Sequence, residues 1–311
     1  MTDTREPRPT DLVALVTFDD EVRENQAVTR ERLGHPAGAP TPLSAAVAQW
    51  LHLGRRTWVH VAGREIRGIA TARELASRHA WEIDTLIDAG DASQPDVIED
   101  LLQQALVAAR DAEATHVLLR VPVDVPAVQD ALRAGFRPVV TERLWRGAIS
   151  PASRAESVRV RDWTDADAFP SFQVYNHALP VDARSNLAMT LEEWQAVHDR
   201  HWQERGGTLV AELDGRLMGV ARHARQSGQF TLQVEPGAGD VADALIAGVQ
   251  RRMPEARDHV ALIPEVAETE SGALERAGLE PVADFALLCK RINRPVRDRA
   301  YARAGAIITG G

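Results

Sequence analysis

The sequence predicts an α/β protein, a mixed α+β sheet with helices on both faces, built as two copies of one domain in tandem. Two observations carry this expectation. The first is an internal repeat: residues 131–140 read ALRAGFRPVV and residues 274–283 read LERAGLEPVA, so Gly135 recurs as Gly278, 143 residues on. Upstream, Asp96-Val97 and Asp240-Val241 each open a helical pattern, 144 residues apart, and Gly63 to Gly68 matches Asp214 to Gly219. All three matches keep the same order, and the period far exceeds the roughly 20–50 residues of a solenoid unit. The second observation is the order of elements: helices, an antiparallel meander, then β-α-β-α-β, which implies a mixed sheet covered on both sides. A length of 311 residues agrees with two domains of about 150 each.

The apolar periodicity of the first copy predicts helices over Asp19–Leu33 and Leu43–Leu53. Strands follow at Trp58–Val61, Ile66–Thr71 and Trp81–Ile87, then a helix over Asp96–Ala112. Strand His116–Val121, helix Pro126–Ala134 and a strand near Val139–Trp145 complete it. The small polar stretch Ser150 to Glu156 lacks apolar periodicity and marks the boundary. The expected units are therefore 1–149, 150–293 and a tail, 294–311.

In the second copy Val158–Trp163 reads as a strand, and Thr164 starts a helix that Pro170 begins or interrupts. Thr190-Leu191-Glu192-Glu193 has the form of a capping box opening a helix to about Glu204. Strands Leu209–Leu213, Leu217–His223 and Phe230–Val234 follow, the first two joined by an Asp214-Gly215 turn. The rest is helix Asp240–Arg252, strand Val260–Pro264, helix Ala267–Ala277 stopped by Gly278, and strand Phe285–Ile292.

Composition excludes several function classes. A net charge of −9 disfavours a nucleic-acid partner. No apolar run approaches the ~20 residues of a membrane span, and no signal pattern opens the chain, so a cytoplasmic protein is expected. The single cysteine, Cys289, excludes internal disulfides and a Cys-rich zinc site, and its apolar surroundings read as a buried structural thiol. Lys290 is the only lysine and follows no glycine-rich loop, which excludes a P-loop. His198 and His201 have i,i+3 spacing but no third ligand is signalled, so they read as a solvated face and no metal is expected. Trp194 and Trp202 on the same pattern read as packing anchors.

Some of these elements carry a resemblance. The element order, the hairpin glycines Gly68 and Gly219, and the strand pattern Glu82-Ile83-x-x-Leu86 belong to it. So do the endings Ala134-Gly135-Phe136 and Ala277-Gly278-Leu279. Together they resemble the GNAT (GCN5-related) N-acetyltransferase superfamily, twice, over nearly the whole chain. The resemblance implies acetyl-CoA as cofactor, its pyrophosphate held by bare N–H groups of a Q/R-x-x-G-x-G/A turn at a helix N-terminus. The matching turn of the second copy is Gly237, Ala238, Gly239, Asp240, Val241 and Ala242, with Val234 on the preceding strand beside the pantetheine arm. It lacks the opening Arg or Gln and has Asp240 in place of the middle glycine. The first copy, Ser93 to Ile98, keeps none of the signature, and its Pro95 removes a donor. Asp96 and Asp240 read as N-caps whose carboxylates occupy the N–H groups that a phosphate needs.

The resemblance also implies a general base on the family's fourth strand. Glu82 stands there in the first copy, and the second has no acid near Gly228. The family's acid, a Tyr four residues before the helix-ending glycine, is replaced by Ala131 and Leu274; the only tyrosines are Tyr175 and Tyr301. Early helices border the family's acceptor site, which points to Tyr175, Asn176 and His177 as substrate-binding residues. The implied function is an acyl-CoA-dependent N-acyltransferase acting on the amine of a small molecule or peptide, with no nucleic-acid or membrane partner. The alternative is a catalytically inactive binding or scaffold module of the same fold that no longer uses CoA. A third reading, aminoacyl transfer from tRNA, is disfavoured by the acidic charge.

Overall fold

The computed structural model describes residues 2–20, 25–30, 33, 55–75, 80–89, 96–150, 157–188, 190–195, 206–224 and 227–292. The first half contributes strand β1 (Thr2–Arg5), helix α1 (Leu12–Asp20) and the meander β2 (Arg55–Ala62), β3 (Glu65–Glu74) and β4 (Ala80–Asp88). Then come α2 (Val97–Asp111), β5 (His116–Pro122), α3 (Ala127–Arg133) and β6 (Arg137–Gly147). The second half repeats the plan with β7 (Val158–Asp162), α4 (Ala168–Ala178), α5 (Arg184–Leu187), β8 (Gly206–Leu213), β9 (Arg216–Ala224) and β10 (Gln229–Val234). It closes with α6 (Gly239–Arg252), β11 (His259–Pro264), α7 (Glu268–Arg276) and β12 (Glu280–Arg291).

All twelve strands form one sheet in the order β1-β2-β3-β4-β5-β12-β6-β11-β10-β9-β8-β7. Each half ends by giving its last strand to the other. Strand β12 pairs antiparallel with β5 of the first half, and β6 pairs antiparallel with β11 of the second. The two exchanged strands pair with each other at the centre. The boundary near residue 149 therefore does not separate two closed sheets, and the repeat appears as an approximate two-fold between β6 and β12.

One face of each half carries its main core. Helix α2 buries Leu101, Leu102 and Ala105 against Trp58, Trp81 and Ile83, and α6 buries Val241, Leu245 and Val249 against Phe230, Leu232 and Ala261. The hairpin glycines let these helices approach. A Cβ on Gly68 would lie 2.5 Å from Val97 Cγ1, and one on Gly219 would lie 2.7 Å from Val241 Cγ1 and 2.8 Å from Leu245 Cδ1. On the opposite face, Leu15 and Phe18 of α1 pack on Val59, Ile69 and Ile87.

Local expectations met the structure unevenly. Thr190 and Glu193 form the capping box: Glu193 N–H donates to Thr190 Oγ1 at 3.2 Å and Thr190 N–H to Glu193 Oε2 at 2.9 Å. Thr164 makes a second box with Asp167 at the entry to α4, whose first turn accommodates Pro170. The helix expected over Asp19–Leu33 is corrected. Helix α1 ends at Asp20, and residues 25–29 carry no helix, because their backbone bonds to strands instead. Strand β1 has no counterpart in the expectation; it pairs Thr2–Arg5 with Val59–Ala62. The helix expected over Leu43–Leu53, the residues Ser93 to Pro95, His198, His201, Trp202 and Tyr301, and the tail 294–311 lie outside the described residues.

Candidate functional site

Both halves build the same notch in the sheet. Strand β4 pairs in parallel with β5 only where Ala80–Ile83 face His116–Leu119, and β10 pairs with β11 only at Gln229–Val260 and Phe230–Ala261. Beyond those points the strands part. Their inner edges then present N–H and C=O groups that need another partner.

In the first half the chain supplies that partner itself. Gln26 N–H donates to Leu86 O at 2.9 Å, and Val28 N–H donates to Arg120 O at 2.8 Å, so the segment bridges β4 and β5. Asn25 Oδ1 accepts from Leu86 N–H at 2.7 Å, and Asn25 Nδ2 donates to Asp84 O at 3.3 Å. Beside the segment lies a row of buried charges. Arg120 Nε donates to Glu142 Oε2 at 2.5 Å, and Arg30 bonds the other oxygen of the same carboxylate. Burial pushes the Glu142 carboxyl up, but Arg120 and Arg30 outweigh it and hold the group below its ordinary value. Glu82, the expected base, belongs to this row. Arg73 Nη2 donates to Glu82 Oε2 at 2.7 Å, and Arg120 Nη1 lies 3.6 Å from Glu82 Oε1. The guanidinium groups of Arg73 and Arg120 thus face both carboxylate oxygens.

Among the described residues the second notch carries fewer such bonds. The hydrogen bond recorded at its edge is Val234 N–H donating to Glu270 Oε1 at 3.3 Å, from the first turn of α7. Glu270 is buried, and desolvation pushes its carboxyl up. After Val234 the chain turns through Gly237, whose φ of +83° suits glycine. Gly237 N–H donates to Thr269 Oγ1 at 3.1 Å, and Ala238 N–H donates to Glu235 O at 3.0 Å. Helix α6 begins at Gly239, and its first backbone bonds run from Val241 and Ala242 N–H to Ala238 O. Among the described residues the N–H groups of Gly239 and Asp240 have no partner.

The capping expectation for Asp240 is corrected here. Gly239 is already helical, so Asp240 stands inside the first turn with an exposed side chain, and the N-cap, Ala238, makes no side-chain bond. Asp96 does occupy the N-cap of α2, yet its carboxylate makes no capping bond either. The α6 terminus therefore keeps its two N–H groups. A Cβ on Gly239 would meet only Arg276 Nη2, at 3.7 Å, and one on Gly237 would meet nothing within 4 Å. Arg276 is held beside the turn by Asp243, Nη2 to Oδ1 at 3.0 Å.

Of the three expected substrate residues, one reaches this loop. His177 Nδ1 lies 2.8 Å from Glu235 Oε1, and Arg216 Nη2 lies 3.7 Å from the same oxygen. Tyr175 is half-buried with its hydroxyl donating to Leu187 O at 2.6 Å, and desolvation pushes it up to about 12. Asn176 turns back to its own helix, Nδ2 donating to Phe172 O at 3.1 Å.

No family model matches the chain, and no curated protein matches it in sequence. Solved structures do match. A tandem GNAT protein from the clavulanic acid biosynthesis pathway superposes with a TM-score of 0.54 at 13% identity, covering 94% of this chain and 98% of that one. A GCN5-related N-acetyltransferase from Sphaerobacter thermophilus gives 0.57 at 18% identity, covering 94% and 96%. The chain has the GNAT fold. A glucosamine N-acetyltransferase region of a fungal multi-domain GH3 β-N-acetylglucosaminidase shares it as well, with a TM-score of 0.55 at 12% identity, covering 93% of this chain and 38% of that one. Among the described residues of this GNAT fold no group of three or more His, Cys, Asp or Glu side chains is placed to hold a metal ion. No described helix is long and apolar enough to cross a membrane. Cys289 is buried, and burial pushes its thiol up to about 11, so it is not poised as a nucleophile.

Glu235, Arg276 and Glu270 are the residues that sequence reasoning missed. Arg276 had a signal: it stands 143 residues after Arg133, and both bond a carboxylate on the preceding helix, Arg133 to Glu99 and Arg276 to Asp243. Glu235 and Glu270 had none.

Proposed function

We propose that the chain is an acyl-CoA-dependent N-acyltransferase whose cofactor site lies in the second half. The observation that carries this reading is the uncapped N-terminus of α6. Among the described residues it offers two N–H groups without a partner behind a glycine turn, next to a notch whose recorded edge bond is the one at Val234. Helix N–H groups and the helix dipole favour a pyrophosphate there, and the Arg276 guanidinium adds a positive charge. When bound, the cofactor supplies a thioester, with its acyl group and its thiolate leaving group. Val234 and the β10 edge would hold the extended arm of that molecule by backbone contacts, in place of the bond from Val234 N–H to Glu270. His177 and Glu235 stand at the mouth. Glu235 accepts from His177 Nδ1–H and so fixes the tautomer, which leaves Nε2 to take a proton from the acceptor ammonium. We assign the base to this pair rather than to Glu82, whose oxygens face Arg73 and Arg120.

A second reading, a binding module that no longer uses CoA, is favoured by two carboxylates near the anion site. Asp240 sits in the first turn of α6, and Glu270 takes the Val234 N–H. Calorimetric titration with acetyl-CoA separates the readings. Saturable binding that weakens about tenfold in Arg276→Ala, roughly 1.4 kcal/mol, supports the transferase. An absence of heat for the wild type and for Asp240→Asn sinks it.

A further inference from the structure

Two arginines are buried among the described residues, Arg120 and Arg222. Arg120 lies between two glutamates, as described above. Arg222 has no such company. It sits in mid-strand β9, 8% exposed, opposite Thr231 of β10 and Thr208 of β8. Its neighbour Ala221 faces the α6 core, so strand alternation turns Arg222 to the other face, where α4 packs. Its guanidinium carbon is 5.7 Å from the ring centroid of Trp194, and Trp194 meets the edge of Phe172 of α4 at 6.1 Å. Among the described residues no carboxylate lies within 4.0 Å of it, and its side chain donates no hydrogen bond. Burial pulls its pKa down to about 9, and Arg30 pulls the same way. Arg30 is itself committed to Glu142.

Burying an uncompensated charge is costly, and stacking on an aromatic ring returns only part of that cost. The five donors of the guanidinium form a planar fork whose natural complement is a planar anion with two oxygens. We propose that Arg222 is the receptor for a carboxylate group on a ligand bound between α4, Trp194 and strands β9–β10. The acceptor amine of the transferase is then one that also carries a carboxylate, as an amino acid does. This assignment of the acceptor rests on the transferase reading; the carboxylate site itself does not.

The test uses the full chain without CoA, so its outcome is independent of whether the cofactor site works. Sodium acetate and glycine are titrated at constant ionic strength, with acetamide as the neutral isostere and inorganic phosphate as the competing anion. Saturable binding of acetate and glycine, absent for acetamide and reduced at least about tenfold in Arg222→Met, is expected. The unliganded Arg222→Met protein should also melt no lower than the wild type, because the change removes an unpaired buried charge. Equal binding of acetate and acetamide, unchanged binding in Arg222→Met, or phosphate binding with no response to acetate would each overturn the proposal. Should Arg222→Met not fold, Arg222→Lys keeps the charge but loses the fork; carboxylate binding as tight as in the wild type would then overturn it.

Discussion

The two notches start from the same backbone and end differently. In the first half Gln26 and Val28 lay their N–H groups across the parting strands β4 and β5, and Glu82, Arg120, Glu142 and Arg30 fill the space with paired charge. In the second half β10 and β11 part in the same way, yet among the described residues the contact at the edge is one carboxylate, and Arg222, buried on the neighbouring β9, has no carboxylate within 4.0 Å. A notch closed by its own chain is part of the scaffold. A notch left with free donors beside it keeps the means to hold something else. The repeat thus joins a structural copy to a candidate binding copy through one shared sheet.

The sharpest way to break this contrast is to remove the buried arginine from each side. Arg120→Met leaves Glu142 and Glu82 buried without their shared partner, and such a loss costs about 3–5 kcal/mol. Chemical denaturation should show a loss of that order for Arg120→Met. If Arg222→Met costs as much, the distinction between a filled and a waiting half is wrong.

A middle-sized effect tests the symmetry instead. Gly68→Val and Gly219→Val each drive a side chain into the helix packed above, and overpacking of this kind costs about 1–3 kcal/mol. Both changes should lower the melting temperature to a similar degree, since Val97 meets one and Val241 the other at nearly equal distance. A cost confined to one half would show that the two helix seats are not equivalent.

Acid should act on the filled notch first. The Glu142 carboxyl is held below its ordinary value of 4.5 in the folded protein. A depressed pKa contributes stability that is present above the unfolded value and is lost as pH falls through the folded one. Stability should therefore fall below about pH 4.5, and Glu142→Gln should flatten that fall; an unchanged slope would remove Glu142 from the account.

What the sequence revealed follows from the range of each force. Gly68 and Gly219 were readable because a missing Cβ at a hairpin is a local necessity, and Thr190 with Glu193 because a capping box closes within four residues. Residues 25–30 misled, since the spacing of Ala27, Val28 and Leu33 suits a helix. What decides their shape is a bond from Val28 to Arg120, 92 residues away. The exchange of β6 and β12 left no mark, because the two strands share one pattern and either can pair with β5. The charge of Arg222 is visible in the sequence, but its burial depends on α4 and Trp194, which no local pattern places over it.

The smallest expected effect is at Asp240, and it bears most directly on function. Its carboxylate is exposed at the positive end of α6, where it gains up to about 1 kcal/mol from the helix dipole. It makes no capping bond, so Asp240→Asn should change stability by no more than that. The same charge repels an anion approaching Gly239 N–H. If the cradle is a working one, Asp240→Asn should tighten acetyl-CoA binding several-fold, most at low salt, where screening is weakest. The matching change Asp96→Asn in the first half should leave CoA binding untouched, because that notch is closed by residues 25–28. Equal responses at the two positions would mean that the anion site is not where the second half leaves its helix open.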